Sequence, residues 1–428
     1  MLLLAIFLII PPPAPLTPVG MKVIGIFLFI ITMWIFVGIG YPSLICIALF
    51  PALGVMTTKA AFAASLGNWI VIFIIACLGL AESLRTTGLS RRFALWFMSR
   101  PFTAGHPWLL LAMLMLVAVI LGGIMSSTAA IVVVMSVAEP MLEVSGFKKG
   151  DRFSAVVMMG LAWACTAAFM MTPIGHGSNV LLIEWVARDV GYNLTFTKWM
   201  TVGIPVGFLI YLVILGILRY IVRPDISHFG TAAMEFTLEE RRKLGSVKLD
   251  EKVALSVFIL VFFCWVFPGV FGNILPGVAS YLGTVGYAIP ALVGCGLLCT
   301  IRIRKQPLLN FREWMSKMEW SAIILIASIM VIGDSLGQPS TGIPQLLTSA
   351  FEPIVRGAPF YVFLFLAILW PSLQTNIMSN LVTAMLVYTV MIPATISTGV
   401  GNPVALGFCI FAATRSAFAL PSATVVTA

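Results

Sequence analysis

Gly122-Gly123-Ile124-Met125-Ser126-Ser127-Thr128 and Thr375-Asn376-Ile377-Met378-Ser379-Asn380-Leu381 decide how this chain reads. Both contain Ile-Met-Ser, 253 positions apart, and both interrupt long apolar stretches. Polar runs of this kind are costly in lipid, because their backbone and hydroxyl groups must find partners in protein, water or a ligand.

The surroundings are those of a membrane. The chain has 428 residues, 60% hydrophobic and only 10% charged, with a mean hydropathy of +1.07. Several stretches approach the ~20 apolar residues that cross a bilayer as a helix. The short alternating strands of a membrane β-barrel are absent. The pattern predicts an all-α polytopic membrane protein. Membrane segments are expected near 1–10, 22–40, 43–56, 68–84, 108–121, 128–141, 154–173, 200–222, 253–268, 279–300, 320–336, 359–374, 380–396 and 403–420. The start, MLLLAIFLII, lacks the basic region and cleavage site of a signal peptide. It reads as a short first helix, ended by Pro11-Pro12-Pro13-Ala14-Pro15.

The net charge of +9 suggests nucleic acid until the positions are considered. Lys and Arg cluster in short loops, Arg85 to Arg100, Lys148 to Arg152, Arg219 to Lys252 and Arg302 to Lys317. Such clusters are topology signals under the positive-inside rule, and no nucleic-acid partner is expected. The seven cysteines lie scattered in apolar segments with no metal-ligand spacing. No HExxH, paired catalytic Asp or nucleophile–base signature points to an enzyme, and no organic cofactor is expected.

The repeat extends beyond Ile-Met-Ser. Asn68-Trp69 opens an apolar run ending Ala81-Glu82-Ser83-Leu84, followed by Thr87-Gly88-Leu89. Glu319-Trp320 opens another, ending Gly333-Asp334-Ser335-Leu336, followed by Thr341-Gly342-Ile343. Thr172-Pro173 in the first half meets Leu420-Pro421 in the second. The order and spacing predict a duplication: N-terminal helices in 1–58, a first repeat in 59–222, a hydrophilic linker or surface helix in 223–252 and a second repeat in 253–428. Paired interruptions in the two halves of a membrane protein point to a transporter's binding site, and inverted topology between the halves would suit one.

Each half offers two polar interruptions: Ser126-Ser127-Thr128 with Thr172-Pro173-Ile174-Gly175-His176-Gly177-Ser178-Asn179, and Ser379-Asn380-Leu381 with Leu420-Pro421-Ser422-Ala423-Thr424. A turn at the tip of a re-entrant hairpin leaves N–H groups at a helix N-terminus, which attract an anion. Ser, Thr and Asn add donors without a fixed charge, and freed carbonyls can hold a cation such as sodium. The ordinary alternative is helix packing and back-bonding by Ser and Thr.

These motifs resemble the divalent-anion/sodium symporter (DASS) family of di- and tricarboxylate and sulfate transporters. That family carries a Ser-Asn-Thr triplet at each hairpin tip and a Thr-Pro-x-Gly-x-Pro-Pro-Asn type loop later in each half. Ser126-Ser127-Thr128 and Ser379-Asn380-Leu381 occupy the triplet positions. Thr172-Pro173-Ile174-Gly175 through Asn179 matches the first loop, and Ala417 through Thr424 resembles the second. Leu80 through Leu89 also has the family's look. The Pro-rich link before a long helix resembles the 2-oxoglutarate/malate translocator branch.

The resemblance implies a homodimer in the lipid bilayer, with a scaffold domain and a transport domain that moves as an elevator. It implies a small divalent anion such as succinate, malate or 2-oxoglutarate, moved with sodium or by anion exchange. A passive anion channel, or an anion-binding membrane protein that does not transport, is the alternative. It implies substrate contacts from Ser126, Ser127, Thr128, Ser379, Asn380, Thr172, Pro173 and Thr424. Sodium contacts would come from Ser126, Ser127, Gly175, Asn179, Ser379, Asn380 and Ser422. The expected location is a bacterial or archaeal plasma membrane, with multiple crossings.

Three departures stand out. Ser127 replaces an Asn and Leu381 replaces a Thr of the triplets, and Val425-Val426-Thr427 stands where Pro-Pro-Asn is expected. Arg415 lies in the apolar run Phe408 to Leu420, where the family has a small residue. A charge in such a segment reads as functional by default. It is expected either to pair with a substrate carboxylate, replacing a bound cation, or to pair with an acidic residue such as Asp334 or snorkel to the interface. Glu82 and Asp334 occupy equivalent positions and fit ion pairs or proton coupling. His176 fits a pH sensor or a hydrogen-bonded structural residue. Only seven residues follow Pro421, so the final helix of the family is expected to be missing.

Overall fold

The structure is a computed structural model describing residues 2–103, 105–125, 127–226, 229–355 and 360–417. It is helical almost throughout. Four helices lead, α1 (Leu2–Ile9), α2 (Pro18–Phe36), α3 (Gly40–Ala52) and α4 (Thr58–Ala64). The first repeat follows with α5 (Trp69–Thr86), α6 (Leu89–Met98), α7 (Pro107–Ile124), α8 (Ser127–Val144), α9 (Arg152–Ala168), α10 (Gly177–Val190) and α11 (Phe196–Gly216), which a π turn extends to Val222. Next come α12 (Thr231–Leu244), α13 (Leu249–Val270), α14 (Pro276–Val285), α15 (Ala288–Thr300) and α16 (Phe311–Ser316). The second repeat holds α17 (Trp320–Gly337), α18 (Ile343–Val355), α19 (Phe360–Gln374), α20 (Asn380–Thr398) and α21 (Pro403–Ala413). Among the described residues, the only sheet is a two-stranded hairpin pairing Arg302–Ile303 with Gln306–Pro307.

Among the described residues, seven helices are long and apolar enough to cross a membrane, or eight if α14 and α15 form one span. The segment expected at 279–300 is a broken pair of apolar helices. It bends by 78° between α14 and α15, at Gly286, whose φ of +71° suits glycine alone.

The duplication is visible in the elements. α4, α5, α6, α7, α8 and α9 begin 251 to 254 positions before α16, α17, α18, α19, α20 and α21. The internal prolines Pro140 of α8 and Pro393 of α20 are 253 apart. Gly88 and Gly342 both adopt left-handed backbone, φ +83° and +72°, and start α6 and α18. Ser83 and Ser335 are both buried, and their hydroxyls donate to the carbonyls of Leu80 and Val331 within their own helices.

The chain forms two compact units, each discontinuous. One comprises residues 1–74, 180–194 and 319–424, the other 75–179, 195–318 and 425–428. In the second, α7 and α9 pack closely because their contact is made of small residues. A Cβ on Gly122 would come within 2.9 Å of the Ala168 Cβ. Without a hydrophobic force between helices in lipid, such close approach supplies the dispersion energy that holds them. Within the hydrophilic stretch, α12 is a docked surface helix. α12 packs on α6 and α8, burying Ala233, Met234 and Thr237. Arg92 ties its end down: its guanidinium donates to the carbonyls of Leu244, Gly245 and Ser246 and pairs with buried Glu251 at 2.7 Å. α11 and α13 expose runs of large apolar side chains, Phe208, Leu209, Leu212 and Val213 on one, Ile259, Leu260 and Phe263 on the other. Surfaces this apolar suit lipid rather than water.

In the first unit, α17 packs on α3 and α20, and the α19–α20 hairpin packs on α21. Trp185 of α10 sits between Tyr388 of α20 and Phe411 of α21, with ring centroids 5.1 and 6.1 Å away.

Candidate functional site: two pinned hairpin tips

The first tip lies between α7 and α8. The α7 helix closes at Met125, which is extended at φ −126° and ψ 173°. The next helix opens at Ser127, so Ser127 and Thr128 form its first turn, where N–H groups have no partner within the helix. Ser126 lies outside the described residues.

The loop Thr172–Asn179 is the break between α9 and α10, and Pro173 within it has no N–H to continue a helix. A break of this kind frees carbonyls, and the structure accounts for them. The buried Asn179 amide donates to the carbonyls of Phe169 and, at 2.9 Å, Thr172. The Trp199 indole donates to the Met170 carbonyl at 2.8 Å. The Gly175 N–H returns to the Thr172 carbonyl and hydroxyl, each at 3.1 Å. The Thr172 hydroxyl in turn donates to the Gly123 carbonyl, two residues before the tip. Break and tip are therefore hydrogen-bonded into one piece. Gly175 must be glycine: a Cβ there would stand 3.0 and 3.1 Å from the carbonyl oxygens of Ala168 and Phe169. Of the carbonyls expected to be free for a cation, that of Phe169 already accepts from Asn179, and that of Thr172 accepts from both Asn179 and the Gly175 N–H, which takes up its two lone pairs.

His176 is a cap. Its Nδ1 accepts from the Ser178 N–H at 3.3 Å and lies 2.9 Å from the Ser178 hydroxyl, at the start of α10. Its ring lies 4.7 Å from that of Phe169.

The second tip, between α19 and α20, is pinned by different residues. The buried Thr375 hydroxyl lies 2.7 Å from Asn380 Oδ1 and 2.9 Å from the Thr414 carbonyl. The Asn376 amide donates to the carbonyls of Ser372, at 2.7 Å, and Ser416, at 3.2 Å. Thr414 and Ser416 follow the end of α21, so tip and helix end are again joined. Ser379 is the N-cap of α20, and its side chain makes no capping bond to the first turn. Asn380 is buried at that turn, while Leu381 is buried among apolar side chains and offers no polar atom. Pro421, Ser422 and Thr424 lie outside the described residues.

Arg415 sits between those two anchored carbonyls. The apolar helix ends at Ala413, so Arg415 belongs to the turn after it, its N–H bonded to the Ala412 carbonyl at 3.0 Å. It is only 2% exposed. Asp334, the partner considered from sequence, is instead held by Arg188 at 3.0 Å, beside Asp189. Its counterpart Glu82 is held by Arg85 at 2.6 Å and Lys317 at 3.6 Å. Both acids thus have ion-pair partners, which accounts for them structurally.

Thr375 and Asn376 are the site residues that sequence reasoning quoted but did not assign. Their signal was present: both are polar, within the interruption, directly before the triplet.

Comparison with known proteins agrees with this arrangement. Residues 2–421 match the family model described as citrate transporter. The sodium-dependent dicarboxylate transporter SdcS of Staphylococcus saprophyticus is 23% identical over 99% of this chain and 82% of its own length. The protein of the same name from Staphylococcus aureus strain USA300 is 24% identical over 95% of this chain and 78% of its own. A transporter of Haemophilus influenzae without assigned substrate is 22% identical over 98% of this chain and 87% of its own. These relatives agree with the resemblance to the divalent-anion/sodium symporters. A match over nearly the whole length, carried by a multi-pass helical membrane protein with two hairpin tips, leads to one conclusion: this chain belongs to the citrate transporter family and is a transporter rather than an enzyme.

Proposed function

We propose that the protein is a secondary active transporter of small dicarboxylates, succinate, malate or 2-oxoglutarate among them. The observation that carries this reading is the pair of hairpin tips, each hydrogen-bonded to the helix end that follows it. Each tip presents a helix N-terminus, and Ser379 and Asn380 bring neutral hydroxyl and amide groups to the second, a chemistry suited to a carboxylate. Ser127, Thr128, Thr172 and Pro173 belong to the first tip and its break, Ser379 and Asn380 to the second. The named relatives are sodium-dependent dicarboxylate transporters, which supports both the substrate class and sodium as coupling ion. Gly175 and Asn179 on the first side, and Ser379 and Asn380 on the second, are the sodium contacts of this reading. The family resemblance supports a homodimer working as an elevator, with repeats in 59–222 and 253–428.

Arg415 is the residue that shifts the coupling. Its buried position beside the second tip suits a fixed positive charge facing a carboxylate, and such a charge favours exchange of anions over symport at that tip. Uptake of labelled succinate or malate into proteoliposomes tests both mechanisms. Symport requires stimulation by an inward sodium gradient. Exchange requires stimulation by internal dicarboxylate. Uptake indifferent to both refutes the proposal, and unchanged uptake by R415A removes Arg415 from it.

A further inference from the structure

The α11 helix carries a lipid-facing stripe that ends in charge. With its π turn it runs from Phe196 to Val222, 27 residues, or about 40 Å of helix. That length crosses the hydrocarbon core and reaches headgroup level. Phe208, Leu209, Leu212 and Val213 are exposed along it, and Tyr220 and Ile221 carry the exposure to 67% and 75% at its end. Arg219 lies about three turns beyond Phe208, which puts it on the same face, and it is exposed as well. Its guanidinium carbon stands 5.5 Å from the ring centre of Trp108, at the start of α7, and 6.0 Å from that of Tyr220. Trp and Tyr rings collect at the boundary between membrane and water, where one end is apolar and the other wet.

Two more arginines meet the end of this helix. Arg152 opens α9, and its Nη2 lies 3.5 Å from the Val222 carbonyl. Arg223 follows the π turn in left-handed backbone, φ +48°, and its Nε donates to the Tyr220 carbonyl at 2.7 Å. These bonds satisfy carbonyls at the helix end, and each uses only one of a guanidinium's several donors. Both side chains are exposed. Among the described residues, Arg85, Arg91, Arg92 and Arg188 each pair with a carboxylate, whereas Arg152, Arg219 and Arg223 pair with none. Asp151, beside Arg152, turns instead to the Lys148 N–H at 2.6 Å. The three arginines thus have backbone and aromatic partners but no counter-charge, and they sit where the apolar stripe reaches headgroup level. The anions found at that depth are lipid phosphates, whose oxygens match the guanidinium fork.

We propose that Arg152, Arg219 and Arg223, with the Trp108 and Tyr220 rings, bind the headgroup of one anionic phospholipid, whose acyl chains lie along the exposed face of α11 at 208–213. The apolar stripe supplies the surface for the tails, and the unpaired arginines at its end supply the charge for the head.

Native mass spectrometry of the full-length protein, released from detergent holding equal amounts of phosphatidylglycerol and phosphatidylcholine, tests this. The wild type should retain phosphatidylglycerol as its first lipid. Arg219→Gln should lower the ratio of the two lipids about fivefold, the contribution of one arginine beside anionic lipid. Should that variant fail to fold, Arg223→Gln, a surface change after the helix, should lower the ratio by the same factor. Arg312→Gln removes an exposed arginine of α16 and should leave the ratio unchanged. Glycerol phosphate, a head without tails, should not displace the lipid at equal concentration. Equal retention of the two lipids by wild type, an unchanged ratio in a folded Arg219→Gln or Arg223→Gln variant, an equal fall in Arg312→Gln, or displacement by glycerol phosphate overturns the proposal.

Discussion

Replacing Asn179 with leucine should open the break between α9 and α10. The Asn179 amide is fully buried and donates to two carbonyls, those of Phe169 and Thr172. Leucine has a similar shape and no donor, so the Phe169 carbonyl loses its partner with little room for water, while the Thr172 carbonyl keeps the Gly175 N–H. A buried orphaned acceptor costs about 1–3 kcal/mol. Side-chain hydrogen bonds between membrane helices average only about 0.6 kcal/mol, because the released groups find substitutes. The larger figure wins here because Gly175 sits against these carbonyls with no space for even a Cβ. Hydrogen–deuterium exchange of the purified protein reads the effect at the amides of Gly175 and Asn179, which bond to the carbonyls of Thr172 and His176. A loss of 2 kcal/mol raises exchange there about thirtyfold. Asn179→Ala should be milder, since the space it leaves can admit a water. Exchange rising less than about threefold in the leucine variant, or more in alanine than in leucine, would refute the argument that the amide satisfies the freed carbonyls.

Three further outcomes follow from the same geometry. Gly342→Ala should abolish folded protein in a fluorescence-detected size-exclusion assay, because its Cβ would stand 2.1 Å from the Pro15 carbonyl. Gly88→Ala, with open space around it, should cost only the roughly 1–2 kcal/mol of left-handed backbone and remain monodisperse. Glu251→Ala leaves Arg92 buried without its carboxylate and should destabilise by about 3–5 kcal/mol, while the double change Arg92→Met with Glu251→Leu should recover most of the loss in a thermal melt. His176→Ala should cost about 1 kcal/mol of cap, whereas His176→Asn keeps an acceptor and should not; a matching loss of uptake in both variants would assign His176 a role beyond capping.

The fold was legible where a signal repeats along the chain. Apolar length announced the crossings, and the doubled Ile-Met-Ser, Thr-Gly and Trp landmarks announced the duplication; the helix boundaries of the two repeats match at the same spacing. Local chemistry was legible too, since Pro173 and the glycines around it forecast a break. The segment 279–300 was legible as apolar, but the position of its bend was not, because a single left-handed Gly286 within a uniformly apolar run carries it.

The site was legible as a set of residues and illegible as a set of bonds. The sequence by itself determined where the backbone must leave the helix, because proline, glycine and short polar side chains act on their own neighbours. It could not say that Asn179 would cover the carbonyls it was expected to leave open, nor that Thr375 and Asn376 would reach the turn holding Arg415. It could not assign Asp334 to Arg188 rather than to Arg415. Asn179 reaches back only seven and ten residues, but the other two are choices among partners far apart in the chain, and in a low dielectric every buried polar group must make one. Only tertiary packing, such as that of α19 on α21, brings those distant candidates within hydrogen-bond reach and so decides which partner each group takes.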